Sequence, residues 1–204
     1  PNDENRDRLI LSKGHCCPAL YATLANRGYF DKELLKSFRK IDGLLQGHPD
    51  MKKIPGVDMS SGSLGQGLSA ANGMALASKL DKKGFRVYCI VGDGEIEEGQ
   101  IWEAAMTSSH YKLDNLCVIV DNNNLQIDGK VKDVMNVYPI DEKFKSFGFG
   151  TINIDGNNIE EIIEALQKAK ITKGKPTAII AKTIKGKGVS FMEDNVSWHG
   201  KAPS

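Results

Sequence analysis

Three apolar runs decide the fold: RVYCIV at residues 86–91, LCVIV at 116–120 and PTAIIAK at 176–182. Each run is continuously hydrophobic, which is typical of a strand buried on both faces of a parallel sheet. Helical patterns and one further strand pattern (151–155) lie around these runs, with the helices predicted at 16–27, 31–40, 64–80, about 97–111 and 159–170. Because strands alternate with amphipathic helices, the sequence predicts an α/β fold, a parallel sheet covered by helices on both faces.

The composition indicates a globular domain with a real core. Of 204 residues, 40% are hydrophobic and 26% are charged, and we expect a single domain spanning 1–204. The net charge of +1 argues against a nucleic-acid-binding protein, which normally carries a basic excess. No run approaches the ~18 apolar residues that a membrane span needs. The four cysteines form no CxxC pair, nothing at the start resembles a signal peptide, and the predicted location is therefore the cytoplasm.

Polar clusters follow each of the three apolar runs. They are GDGEIEE at 92–98, DNNN at 121–124 and TIKGKG at 183–188. In open parallel sheets, ligands bind beyond the carboxyl ends of the strands. Asp93 and Asn123 stand 30 positions apart, the length of one βαβ unit, so they are expected on neighbouring strand ends.

The residue types in these clusters suit a hard cation. The Asp93 carboxylate, the Asn123 amide oxygen and a nearby main-chain carbonyl favour Mg²⁺ or Ca²⁺ over zinc. Only one of these groups is charged, so a phosphorylated ligand is expected to supply the remaining oxygens. The alternative is that both clusters are ordinary turns, where Gly, Asp and Asn are common.

Other phosphate-binding and catalytic motifs are absent. No GxxxxGK[ST] occurs, and the glycines at 62–67 do not follow a predicted strand, so P-loop kinases and simple NAD enzymes are disfavoured. His15, His48 and His199 lie in Gly- or Pro-flanked loops, where catalytic residues concentrate, although a lone loop histidine is often only solvated.

The remaining polar residues of interest are expected to be structural. His110 falls in a helical pattern, which indicates a structural or surface role. Lys182, Lys185 and Lys187 indicate a solvated basic loop. Cys16 and Cys17 are predicted to be small buried helix residues near the site.

Six segments together resemble the thiamine diphosphate-binding half of transketolase. They span almost the whole chain in order: 8–30 (containing SKGH), 46–50 (QGHPD), 55–68, 92–104 (beginning GDG), 121–129 and 183–200 (ending WHG). GDG followed by an NN-type element is general to thiamine diphosphate enzymes, whereas SKGH and QGHPD narrow the resemblance to transketolases. The pattern is most similar to split bacterial forms, in which this half is a separate N-terminal subunit.

The resemblance implies a role for eleven residues. Asp93, Asn123 and the Leu125 carbonyl would bind Mg²⁺, or Ca²⁺ as a substitute, which bridges to thiamine diphosphate. His15, Gly94 and His199 would contact the cofactor, and Gly62, Ser63 and Leu64 would pack on it. Glu98 would join an acidic network at the subunit contact. His48 and His199 would contact the substrate.

The implied activity is transfer of a two-carbon ketol unit from a ketose phosphate to an aldose phosphate, as in the pentose phosphate pathway. The resemblance also implies a partner, the C-terminal pyrimidine-binding subunit, in a heterotetramer or dimer, and a further histidine upstream of Pro1. The alternatives are the α subunit of a 2-oxo acid dehydrogenase, a deoxyxylulose-phosphate synthase, or a non-catalytic module that keeps the fold. The first two share GDG…N but match poorly at SKGH and QGHPD. The sequence does not exclude relatives that act on sulfonated or branched sugars, because those relatives differ mainly in the partner half.

Overall fold

One five-stranded parallel sheet organises the chain in the computed structural model, which describes residues 3–203. Its strand order is β1-β2-β3-β7-β6. The strands are β1 Arg8–Leu11, β2 Val87–Gly92, β3 Leu116–Asn122, β6 Gly150–Asp155 and β7 Thr177–Lys182, and a small hairpin is formed by β4 Leu125–Gln126 and β5 Gly129–Lys130. The predicted parallel α/β architecture is confirmed.

Helices cover both faces of this sheet. They are α1 Cys17–Asn26, α2 Gln66–Leu80, α3 Gly99–His110, α4 Val131–Val134, α5 Ile140–Ser146 and α6 Ile159–Ile171. Neighbouring residues of β3 point to opposite faces: Val118 joins the large core beneath α2, α3 and α5, whereas Cys117 packs with Ala165 of α6. This alternation explains why the strand is apolar at every position. Within residues 3–203, no helix is long and apolar enough to span a bilayer.

The helix predicted at 31–40 is instead a short 3-10 helix, Lys32–Ser37. Asp31 caps it as expected, since its side chain accepts a hydrogen bond from the Glu33 amide at 2.9 Å. The Phe38 amide then donates to the Leu35 carbonyl at 3.2 Å, an i to i−3 bond. The apolar residues of this segment pack on the cluster around α1, and these tertiary contacts replace a full α-helix.

Several boundaries and short elements also differ from the sequence prediction. Helix α3 begins at Gly99 rather than near 97, because residues 95–97 form a 3-10 turn. Helix α2 begins at Gln66 because Gly65 has a φ of +83°, a left-handed conformation outside the helix. The four-residue β1 and the short elements between 125 and 146 were not predicted, since segments of this length carry no clear periodicity.

The strand register brings the polar clusters to one edge. Gly92 pairs with Asp121, and Asp121 pairs with Ala181. The chain after β2, β3 and β7 therefore emerges at the same edge of the sheet, as predicted.

Candidate functional site

A cleft of about 390 Å³ opens at the carboxyl edge of the sheet. Nine of the eleven predicted site residues line it: His15, His48, Gly62, Leu64, Asp93, Gly94, Asn123, Leu125 and His199. Ser63 and Glu98 are exposed and do not line it. The structure therefore brings together residues that are far apart in sequence, although it leaves these two outside.

The cleft floor, defined here as the lining residues Lys13, Asp93, Asn123 and Leu125 together with Asp121, which pairs with Lys13, is built at strand ends. Asp93 is only 2% exposed. Its carboxylate accepts hydrogen bonds from the Gly94 amide at 2.9 Å and from the Asn124 amide. Burial raises the pKa of Asp93 to about 6, although these amides lower it. Among residues 3–203, no basic side chain forms an ion pair with Asp93.

Two further oxygen donors lie on the loop after β3. The Asn123 side-chain oxygen accepts a hydrogen bond from the Leu125 amide at 3.0 Å, and Asn124 between them has a φ of +58°. This local turn holds the Asn123 amide close to the Leu125 backbone.

The donor set fits a hard divalent cation. A carboxylate, an amide oxygen and a main-chain carbonyl are ligands for Mg²⁺ or Ca²⁺. The part of the chain that the structure describes contains no cluster of three or more His, Cys, Asp or Glu side chains of the kind that holds zinc. A cation would also offset the cost of the buried Asp93 charge.

A partly buried ion pair completes the cleft floor. Lys13 Nζ lies 2.5 Å from Asp121 Oδ2, and the Thr183 hydroxyl donates to Asp121 Oδ1. Burial favours the neutral form of both groups, but their mutual attraction prevails: the pKa of Lys13 is raised and that of Asp121 is lowered. Sequence reasoning assigned Lys13 no role. Recognition of β1 would have shown that it follows a strand, like Asp93.

The cleft rim, defined here as Arg39, His48, Lys185 and His199, comes from two long loops. The His199 ring stacks on His15 with 5.3 Å between centroids. Burial, reinforced by Lys13, lowers the pKa of His15 to about 4, and burial together with Lys185 lowers that of His199. Both imidazoles are therefore neutral near pH 7.

Lys185 lies beside the ring of His199. Lys185 Nζ lies 3.2 Å from His199 Nδ1. Burial lowers the pKa of Lys185, and a protonated amine at this position would donate to Nδ1 and leave the proton of a neutral His199 on Nε2. The prediction of a solvated basic loop is thus wrong for Lys185, which is half-buried in the cleft.

His48 is held at the mouth of the cleft. The Tyr21 hydroxyl donates to the carbonyls of Gln46 and His48, at 2.8 and 3.0 Å, and fixes this loop on α1. A Cβ on Gly62 would lie 3.3 Å from the His48 ring, so glycine leaves room for the imidazole. The ring itself is exposed.

The remaining expectations have mixed outcomes. His110 ends α3, is exposed and packs edge-on against Tyr111, which fits the surface alternative of the prediction. Cys17 is buried as predicted, whereas Cys16 is half-exposed.

Comparison with known proteins agrees with this architecture. The family model described as transketolase, thiamine diphosphate binding domain, matches residues 1–203. The 6-deoxy-6-sulfo-D-fructose transketolase subunit of Clostridium sp. (strain MSTE9) is 48% identical over 98% of this chain and 72% of that protein. An apulose-4-phosphate transketolase subunit of Phocaeicola vulgatus is 41% identical over all of this chain and 72% of that protein.

Single-chain relatives are longer. Human transketolase is 47% identical over 98% of this chain but only 32% of its own length. The crystal structure of Campylobacter jejuni transketolase superposes with a TM-score of 0.88 at 38% identity, covering 95% of this chain and 31% of the other. The chain spans about a third of these single-chain enzymes, and it belongs to the transketolase family, as its N-terminal thiamine diphosphate-binding domain.

Proposed function

We propose that this domain binds thiamine diphosphate through Mg²⁺ held by Asp93, Asn123 and the Leu125 carbonyl. With a partner subunit, it transfers a two-carbon ketol unit from a ketose phosphate to an aldose phosphate. The observation that carries the proposal is the buried Asp93 carboxylate, which has no cationic partner among residues 3–203 and lies at the strand end beside Asn123.

The cleft floor supports this metal assignment. Three protein oxygens leave room in an octahedral Mg²⁺ shell for diphosphate oxygens and water. The Lys13–Asp121 pair beneath is internally neutral, so Asp93 contributes the one uncompensated charge of the cleft floor. A dipositive ion on Asp93 leaves a net positive charge, which favours an anionic diphosphate.

The cleft rim supports the catalytic assignment. When bound, the cofactor supplies a carbanion nucleophile and an electron sink for carbon–carbon cleavage. His199 lines the cleft beside Lys185, and His48 stands exposed at the mouth, so both are assigned to substrate hydroxyls and to proton movement. Gly62 and Leu64 supply an apolar wall against which the cofactor packs. Ser63 and Glu98 lie outside this cleft, which agrees better with contact to a partner subunit than with direct contact to the cofactor.

The names of relatives support a partner and a substrate class. Two of them are named as subunits, one for 6-deoxy-6-sulfo-D-fructose and one for apulose-4-phosphate. We therefore assign to this chain a partner, the pyrimidine-binding subunit. Its substrates are sugar phosphates or their sulfonated counterparts. A heterotetramer with two-fold symmetry is the expected assembly. The four cysteines are free thiols, which supports a reducing cytoplasmic location.

The test is calorimetry on the chain purified together with its partner subunit. Thiamine diphosphate should bind with heat that depends on Mg²⁺, and chelation by EDTA should abolish it. Turnover with xylulose 5-phosphate and ribose 5-phosphate, but not with pyruvate, separates this function from that of a 2-oxo acid dehydrogenase or deoxyxylulose-phosphate synthase. Binding of thiamine diphosphate that does not depend on Mg²⁺ would overturn the metal assignment. Binding of the cofactor without turnover of any sugar would favour a non-catalytic module.

A further inference from the structure

Glu95 is a buried carboxylate to which the predicted site assigns no role. It lies in the 3-10 turn two residues after Asp93 and is only 3% exposed. Among the residues described, 3–203, no basic side chain forms an ion pair with it. A buried charge in this position needs other compensation.

Three hydrogen-bond donors provide that compensation. The Ser12 hydroxyl and the Gly65 amide both donate to Glu95 Oε1, the latter at 2.9 Å. The Gly92 amide donates to Oε2 at 3.0 Å. Both carboxylate oxygens are therefore used, and each accepts only from neutral donors of the chain itself.

The three donors belong to three separate segments of the cleft wall. Ser12 precedes the residues 13–15, Gly65 follows the apolar wall of Gly62 and Leu64 and directly precedes α2, and Gly92 precedes Asp93. One side chain thus joins the three loops that carry most of the predicted cofactor contacts.

Helix α2 and the loop after β1 pack closely at this junction. The Gly67 amide donates to Ser12 Oγ at 3.2 Å, so Ser12 links Glu95 to the first turn of α2. A Cβ on Gly67 would lie 2.4 Å from the Ser12 Cβ, a distance that no side chain tolerates. The approach of α2 to the loop after β1 is therefore closer than any side chain at position 67 would allow.

We propose that Glu95 is a positioning residue that holds these three loops in the spacing required for the diphosphate and its metal ion. This inference rests on the function proposed above. Each loop is also anchored by its own strand or helix, so the fold persists without Glu95. What is lost is the fixed distance between the apolar wall at Leu64 and the carboxylate of Asp93.

The decisive variant is Glu95→Gln. It keeps the size of the side chain, but whichever way the amide is oriented, its NH₂ group faces an N–H or O–H donor. We expect at least tenfold weaker binding of thiamine diphosphate at saturating Mg²⁺ in the complex with the partner subunit. In the chain without cofactor, we expect faster hydrogen exchange at the amides of Gly65 and Gly67, with the sheet amides still protected.

A matched control is Ser108→Ala. The Ser108 hydroxyl is also fully buried, between α2 and α3, and lies 2.6 Å from Asn72 Oδ1. This variant should lower the midpoint of thermal unfolding while leaving cofactor affinity and exchange at Gly65 unchanged. Equal loss of affinity in Ser108→Ala and Glu95→Gln would show that only global stability matters, and would overturn the proposal.

A milder variant covers the case in which Glu95→Gln does not fold. Ser12→Ala removes one of the three donors and should weaken cofactor binding about threefold while exposing the Gly67 amide to exchange. Wild-type affinity in this variant would overturn the proposal. Failure of the proposed function has a different signature, because the wild-type complex would then show no Mg²⁺-dependent binding while its Gly65 and Gly67 amides stayed protected.

Discussion

The cleft floor and the cleft rim are built in opposite ways. The cleft floor residues lie within three residues of the carboxyl ends of β1, β2 and β3, which pair in register, and Asp93 and Lys13 are almost completely buried there. The cleft rim residues come from the long loops at 38–62 and 183–200, and His48 and Arg39 are exposed. The sheet thus fixes the proposed metal-binding end by itself, whereas the proposed substrate end depends on loop packing and on whatever covers it.

This difference predicts the largest effect for Asp93→Ala. Loss of the only carboxylate in the metal set should weaken Mg²⁺-dependent binding of thiamine diphosphate at least a hundredfold, about 2.7 kcal/mol. Calorimetric titration of the complex measures it. Asp155→Ala is the matched control, because Asp155 ends β6 at the same edge of the sheet but is exposed and does not line the cleft. Equal losses in the two variants would mean that general charge, not a metal site, governs binding.

Breaking the ion pair of the cleft floor should lower the stability of the fold. Lys13→Met leaves the Asp121 carboxylate unpaired, and because Asp121 is partly exposed, we expect about 2–3 kcal/mol of lost stability, below the full penalty for a buried pair. Urea unfolding measures this loss, and adding Asp121→Asn should recover most of it.

The loop that carries Lys185 and His199 of the cleft rim holds the contrasting ion pair. Lys187 Nζ lies 3.6 Å from Glu193 Oε1, and Lys187 is exposed while Glu193 is half-exposed. Lys187→Met should change stability by less than about 0.5 kcal/mol. A loss as large as that of Lys13→Met would remove the distinction between cleft floor and cleft rim.

The same distinction can be tested through activity. His48→Ala removes an exposed imidazole that has no hydrogen bond to the cleft floor, so kcat/KM for the sugar substrate should fall about tenfold to a hundredfold. Cofactor affinity should stay within about twofold. Steady-state kinetics at saturating cofactor separates the two quantities. His110→Ala, at the end of α3, should change neither. A larger change in cofactor affinity than in kcat/KM would mean that His48 contacts the cofactor rather than the substrate.

How far the sequence predicted the site follows the same division. Asp93 and Asn123 were found because each follows a long apolar strand, and strand order then made them neighbours. Lys13 was missed because β1 has only four residues and shows no periodicity. Lys185 was misread as solvated because its burial against His199 is a contact between a loop and a residue 14 positions away, which no local pattern encodes. The segment 31–40 followed a helical pattern, but its packing on α1 selected the tighter 3-10 form.

A further prediction concerns acid, and it tests how the cleft treats a neutral imidazole. Burial and Lys13 lower the pKa of His15 to about 4, against about 6.5 in the unfolded chain. Below pH 6.5 the unfolded state therefore binds a proton at His15 that the folded state does not bind. The free energy of unfolding consequently decreases as the pH is lowered from 6.5 to about 4. His15→Gln should show a shallower loss of unfolding free energy between pH 6.5 and 4 and no difference in slope above pH 7. Urea unfolding across this range, with an NMR titration of the His15 ring, measures both quantities. The prediction is wrong if the His15 ring titrates near 6.5, or if the wild-type protein and His15→Gln lose unfolding free energy equally between pH 6.5 and 4. Either result would mean that the His15 side chain is well solvated.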